Sequence, residues 1–135
     1  MGGLPAAAIL PTDKTMPARP PDRFNLARYC LADNARRRPD KIALTVVGAG
    51  ERAARFSYRD VDLAVRGLAG GLRSLGLAPG ARVMIRMAND ADFVFVYLAA
   101  MAAGLVAVPS SAHLTAREAE FLLAATEASA VGVSA

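Results

Sequence analysis

The residue types that could carry chemistry are few and widely separated. The chain has one cysteine, Cys30, and one histidine, His113. Nothing in their spacing supports a Cys–His nucleophile pair, and one thiol with one imidazole excludes a zinc site. Cys30, between Tyr29 and Leu31, reads as a small core residue. A lone thiol closes no intrachain disulfide, which suits a reducing, cytoplasmic setting. Carboxylates come in pairs two apart: Asp60/Asp62, Asp90/Asp92 and Glu118/Glu120. On a helix such pairs point to different sides. Each also falls where a helix is expected to begin, so dipole and capping roles explain them.

Glycine patterns give no phosphate cradle. Gly48-Ala49-Gly50-Glu51 lacks the third glycine of a dinucleotide loop and leads into a strand. No GxxxxGK[ST] occurs. Gly67, Gly70 and Gly71 lie within a helical pattern, where their amides are already used. No residue is therefore assigned to catalysis, to cofactor binding or to a metal. In open α/β sheets ligands bind beyond the carboxyl ends of the strands. That singles out Asn89 after the first parallel strand, and Ser110, Ser111 and His113 after the second. Asn89 reads equally as an N-cap, the serines as loop residues after Pro109, and His113 as a loop histidine without a visible partner.

Composition bounds the elements that must position these groups. The 135 residues suffice for one domain. With 54% hydrophobic and 21% charged residues, the chain is too apolar to be disordered. It carries 14 Arg against 2 Lys, and 30 Ala, a bias that suits helices. The net charge of +4 is scattered and makes no nucleic-acid footprint. The one dense cluster, Arg36-Arg37-Arg38, suits the negative end of a helix dipole.

Residues 1–23 are rich in Pro, Gly and Ala, with prolines at 5, 11, 17, 20 and 21, and read as a mobile leader before a folded part at 24–135. The apolar stretch 6–10 has no preceding positive charge, so it is not a secretory signal. Residues 93–108, FVFVYLAAMAAGLVAV, carry no charge but fall just short of a membrane span. Gly104 divides them, so they read as a buried helix followed by a buried strand.

A helix is expected from Asn25 as N-cap to about Arg38, with Leu26, Tyr29 and Cys30 as its apolar face. Residues 41–47 and 55–58 read as a hairpin turned by the glycines near Gly48 and Gly50. Ser57 and Asp60 resemble a weaker capping box. The helix they open carries a stripe of Val61, Ala64, Val65, Leu68, Leu72 and Leu75. Its three glycines imply close packing, and Asp62 with Arg66 forms an i,i+4 pair. Strand 82–87, helix 90–103, strand 105–108, a boxed helix 115–125 opened by Thr115 and Glu118, and strand 130–134 follow. That alternation predicts parallel βαβ units with right-handed crossovers.

In order and spacing these residues resemble a known family. The carriers are Pro39-Asp40-Lys41-Ile42-Ala43, Ser57-Tyr58, and Leu75-Gly76-Leu77-Ala78-Pro79-Gly80 running into Arg82-Val83. Ala103-Gly104-Leu105-Val106-Ala107-Val108-Pro109 and Leu114-Thr115 with Glu118 complete the set. Over residues 22–135 the chain is similar to the start of the AMP-forming acyl-CoA synthetases of the adenylate-forming superfamily, benzoate-CoA-ligase-like members among them. The resemblance implies an α/β fold: an incomplete parallel βαβαβ sheet with an N-terminal helix and a β-hairpin, the first part of a large N-terminal domain. It implies a ligase that joins a carboxylic acid to coenzyme A through an acyl-adenylate, using ATP and Mg²⁺.

The family's phosphate loop, ribose-binding aspartate and catalytic lysine match no position here. The chain alone is therefore expected to bind none of these cofactors and to be inactive, with the remainder of the ligase fold as its partner. The alternative is a non-catalytic interaction module whose open sheet is completed by another protein. An intact flavodoxin-like domain would need more strands. Neither a nucleic-acid partner nor a membrane span is expected.

Overall fold

A computed structural model describes residues 22–48 and 53–134. Residues 1–21 of the expected leader and the hairpin turn at 49–52 lie outside the described residues. The elements are α1 (Leu26–Arg37), β1 (Ile42–Val46), β2 (Ala54–Ser57), α2 (Tyr58–Ser74), β3 (Arg82–Met87), α3 (Ala91–Ala102), β4 (Val106–Ser111), α4 (Ala116–Thr126) and β5 (Ala130–Val133). β1 and β2 pair antiparallel as a separate two-stranded sheet. The other three strands run parallel in the order β4-β3-β5. This is the mixed α/β architecture that the element pattern predicts.

Side-chain alternation assigns the faces of the parallel sheet. Val83 stands opposite Ala107 and Ala130, and Ile85 opposite Pro109 and Gly132. Against this face α3 packs, with Val83, Ala100 and Leu105 forming one buried cluster. A Cβ built on Gly132 would lie 3.5 Å from Val96 Cγ1, so helix and strand are in contact there. Met84 and Arg86 point to the other face, beside Val131 and Val133, which stay exposed. The connections β3–α3–β4 and β4–α4–β5 step in opposite directions along the sheet, so right-handed crossovers put α3 and α4 on opposite faces.

A second cluster joins the helices: Leu31 of α1, Val61, Val65 and Ala69 of α2, and Phe95 and Ala99 of α3. Phe56 of β2 meets Phe95 edge-on with ring centroids 5.3 Å apart, which fastens the hairpin to this layer. The last carbonyls of α3 lack intrahelical partners. Asn25 Nδ2 donates to Met101 O at 2.9 Å, and Arg73 Nη2 to Ala102 O at 3.2 Å. Gly80 and Gly104 both hold φ of +81°, and Gly80 N–H donates to Gly104 O at 2.8 Å. A side chain at either position would strain these two turns.

Several expectations are corrected. On α1 the buried residues are Ala27 and Leu31, one turn apart, whereas Leu26, Tyr29 and Cys30 are exposed. The face toward α2 is set by that i,i+4 row, and Tyr29 packs outward on Phe24 at 5.3 Å. On α2 the buried row is Val61-Val65-Ala69, so Leu68 and Leu75 turn outward. Gly67, Gly70 and Gly71 are exposed, and a Cβ on any of them would meet nothing within 4 Å. They serve no close packing, and nothing in the structure explains them. Strand β4 is not buried: it lies at the sheet edge and runs through Pro109 to Ser111. An edge strand tolerates proline because only one side of it must donate to a neighbour.

Both capping boxes form completely. Ser57 Oγ accepts from Asp60 N–H while Asp60 accepts from Ser57 N–H, and Thr115 and Glu118 repeat the exchange. Hydrogen bonds from Ser57 hold the Asp60 carboxyl below its ordinary 3.8. Those from Thr115 hold Glu118 below 4.5. A depressed folded pKa adds stability above the unfolded value. As the pH drops below about 4.5 and then 3.8, the unfolded chain takes up these protons first, and the contribution is lost once the folded carboxyls also protonate. Asp60→Asn and Glu118→Gln are expected to flatten the acid limb of a stability–pH curve measured by urea unfolding. An unchanged limb would remove the capping carboxylates from this role.

Candidate functional site

The positions singled out by topology do gather at one end of the parallel sheet. β3 and β4 finish together, with Arg86 opposite Ser110 and Met87 opposite Ser111. The two serines are strand residues, not loop residues. Ser110 Oγ donates to Ile85 O at 3.2 Å, so its hydroxyl supplements the ladder. Ser111 Oγ accepts from His113 N–H at 3.1 Å and closes a local turn. His113 and Asn89 are both exposed. The N-cap of α3 is Asp90, whose side chain accepts from Phe93 N–H at 3.1 Å; Asn89 is one residue too early for it.

Arg86 is the residue that sequence reasoning passed over. It sits on the central strand, and its Nη2 donates to Leu114 O at 2.7 Å, tying the β4–α4 loop back to β3. Among the described residues its Nε is buried without a partner. The available signal was an arginine inside RVMIRM, at a position where alternation makes a central strand face inward or toward a covering element. A guanidinium held this way can position a loop and offer one more hydrogen bond to an acceptor.

Several of the other carboxylates are committed elsewhere. Asp60 and Glu118 complete caps, Asp62 pairs with Arg66 at 3.5 Å, and Asp33 pairs with Arg36. Asp62 lies one turn too far along α2 for the dipole role expected of it. At the end of α1, Arg36 and Arg37 occupy the last turn as expected, and Arg38 donates to Asn34 Oδ1 at 2.6 Å. Among the described residues no group of three or more His, Cys, Asp or Glu could hold a metal ion. Among the same residues no helix is long and apolar enough to cross a membrane. The residues at the sheet edge can thus orient a loop and present hydroxyl and guanidinium donors.

A family model described as AMP-binding enzyme matches residues 31–134. The chain belongs to the AMP-binding enzyme family. The chain is 36% identical over 80 residues to a salicyl-AMP ligase / salicyl-S-ArCP synthetase of Mycobacterium tuberculosis, an alignment covering 58% of the chain and 14% of that relative. It is 32% identical over 98 residues to a 4-coumarate–CoA ligase of Humulus lupulus, covering 73% and 17%. Among solved structures, the acetoacetyl-CoA synthetase of Streptomyces lividans superposes with a TM-score of 0.76 at 29% identity, over 82% of this chain and 17% of that one. The fatty acid AMP ligase of Legionella pneumophila gives the same TM-score of 0.76 at 21% identity, over 84% and 20%, which supports the fold. The chain thus spans about a fifth or less of these relatives.

Proposed function

We propose that this chain is the N-terminal portion of a ligase that joins a carboxylic acid to coenzyme A through an acyl-adenylate, and that the 135 residues by themselves are inactive. The reading is carried by the family match across residues 31–134, together with a span of only about a fifth or less of the relatives' length. In the complete enzyme ATP, Mg²⁺ and coenzyme A supply the activation and transfer chemistry. The residues present here would build the sheet on which that machinery rests. Arg86 positions the β4–α4 loop, and Ser110 secures the edge of β4. The rest of the ligase fold is the partner of this portion, and the cytoplasm is its compartment.

ATP–pyrophosphate exchange tests this reading, run with aromatic and aliphatic carboxylic acids on both the 135-residue chain and the whole gene product. We expect no exchange above background from the chain alone, and acid-dependent exchange from the whole product. Exchange by the chain alone would refute its inactivity. A native product with an intact mass of 14.1 kDa that exchanges nothing would refute the ligase reading. It would leave the interaction module, which the exposed Val131, Val133 and Phe121 favour.

A further inference from the structure

The face between α1 and α2 has no part in the sheet edge or in the ligase reading. It is a groove of about 710 Å³ bordered by five arginines: Arg28 and Arg36 from α1, and Arg59, Arg66 and Arg73 from α2. Asp62 is the one carboxylate lining it. Its floor is made of small and apolar side chains, the half-buried Ala32 and Ala35 above the buried Leu31 and Val65. The volume lies within the roughly 300–1,000 Å³ of ordinary binding clefts.

Spacing sets the arginines apart from a random basic surface. Arg59, Arg66 and Arg73 are seven residues apart, so they stand in one row along α2 at intervals of about 10.5 Å. Three of the five have acidic neighbours: Arg36 with Asp33, Arg59 with Asp40 at 3.1 Å, and Arg66 with Asp62 at 3.5 Å. Their arginine side chains are 65–77% exposed, so these pairs are weak and can exchange for other carboxylates. Arg28 makes no ion pair among the described residues, and Arg73 spends one nitrogen on Ala102 O.

Two kinds of polyanion could meet such a row, and the geometry separates them. Duplex nucleic acid offers a phosphate charge about every 1.7 Å of axis. It would have no use for a seven-residue period or an apolar floor. A helix with acidic residues at heptad positions repeats at the same interval as α2, and its apolar stripe would rest on the floor. Flanking charges around an apolar seam are how paired helices choose partners. We propose that the groove seats one acidic amphipathic helix of a protein partner, its carboxylates over Arg59, Arg66 and Arg73 and its apolar stripe over Ala32 and Ala35.

The test uses the whole gene product and two labelled synthetic helical peptides of equal composition, followed by fluorescence anisotropy at low salt. One peptide carries glutamates at every seventh position beside a leucine stripe. The other has the same glutamates moved to the opposite face. We expect the first to bind at least about fivefold more tightly. Arg66→Glu and Arg28→Glu should each weaken it by about fivefold or more. Arg82→Glu, at a charge paired with Glu127 on another element, should leave it unchanged. Arg66 is the primary site because its side chain is exposed, and retained circular dichroism guards against misfolding. Failure of the heptad peptide to bind, equal binding of both peptides, or indifference to Arg66→Glu would overturn the proposal. So would tighter binding of a DNA duplex that depends on the same arginines.

Discussion

Phe95→Ala is expected to lower the unfolding free energy by about 3–5 kcal/mol. Phe95 is 8% exposed and lies where three elements meet. It shares the helical cluster with Leu31, Val61, Val65 and Ala99, and Phe56 of the hairpin sits edge-on to its ring. Truncation removes the ring's transfer free energy and leaves a hole that α1, α2 and α3, tied through Asn25 and Arg73, cannot readily close. Domains have total stabilities of about 5–15 kcal/mol, so the loss is a large share of the whole. Urea unfolding checks it as a drop in midpoint at constant slope. Phe121→Ala is the matched control. That ring is 70% exposed on α4, and its removal should change stability by no more than about 0.5 kcal/mol. Equal losses at the two positions would show that the helical cluster is not the core.

Ile85→Ala should cost about 2–5 kcal/mol. Ile85 is 0% exposed at the middle of β3, with β4 on one side and β5 on the other. Its cross-strand neighbours are Pro109 and Gly132, one rigid and one without a side chain, so neither can swing into the vacated space. Ile85→Val, which removes a single methylene, should cost about 0.5–1.5 kcal/mol. Hydrogen exchange of β3 amides would read both, with protection falling more for alanine than for valine. An alanine variant as protected as the native chain would mean that β3 is not held by side-chain packing.

Local chemistry was legible wherever a motif is complete within a few residues. Ser57 with Asp60, Thr115 with Glu118, Asn25 as N-cap and the Asp62–Arg66 pair all form as read, because both partners lie within one helical turn. The alternation of strands and helices from Arg82 onward was legible for a similar reason: the apolar period changes at each boundary. Less was legible where the outcome depends on which neighbour arrives. Tyr29 and Cys30 lie within two residues of Leu31, yet it is Leu31 that joins Val61 and Val65 of α2 in the core. Leu68 continues the stripe of α2 by spacing alone, but α3 lies nearer to Ala69.

The candidate site divides in the same way. That Asn89, Ser110, Ser111 and His113 belong near one end of a parallel sheet followed from the order of elements and the direction of the strands. That Ser110 and Ser111 extend β4 beyond Pro109 did not, because it depends on β4 lying at an edge where proline costs no ladder bond. Arg86 shows the limit most clearly. Its partner is Leu114 O, on a loop that the tertiary fold brings to β3 from 28 residues away. The sequence by itself determined the caps of α1, α2 and α4, the strand–helix alternation and the family. The tertiary structure decided which side chains are buried, where the arginines of α1 and α2 converge, and what Arg86 binds. Those outcomes rest on contacts between distant segments, which short-range periodicity does not encode.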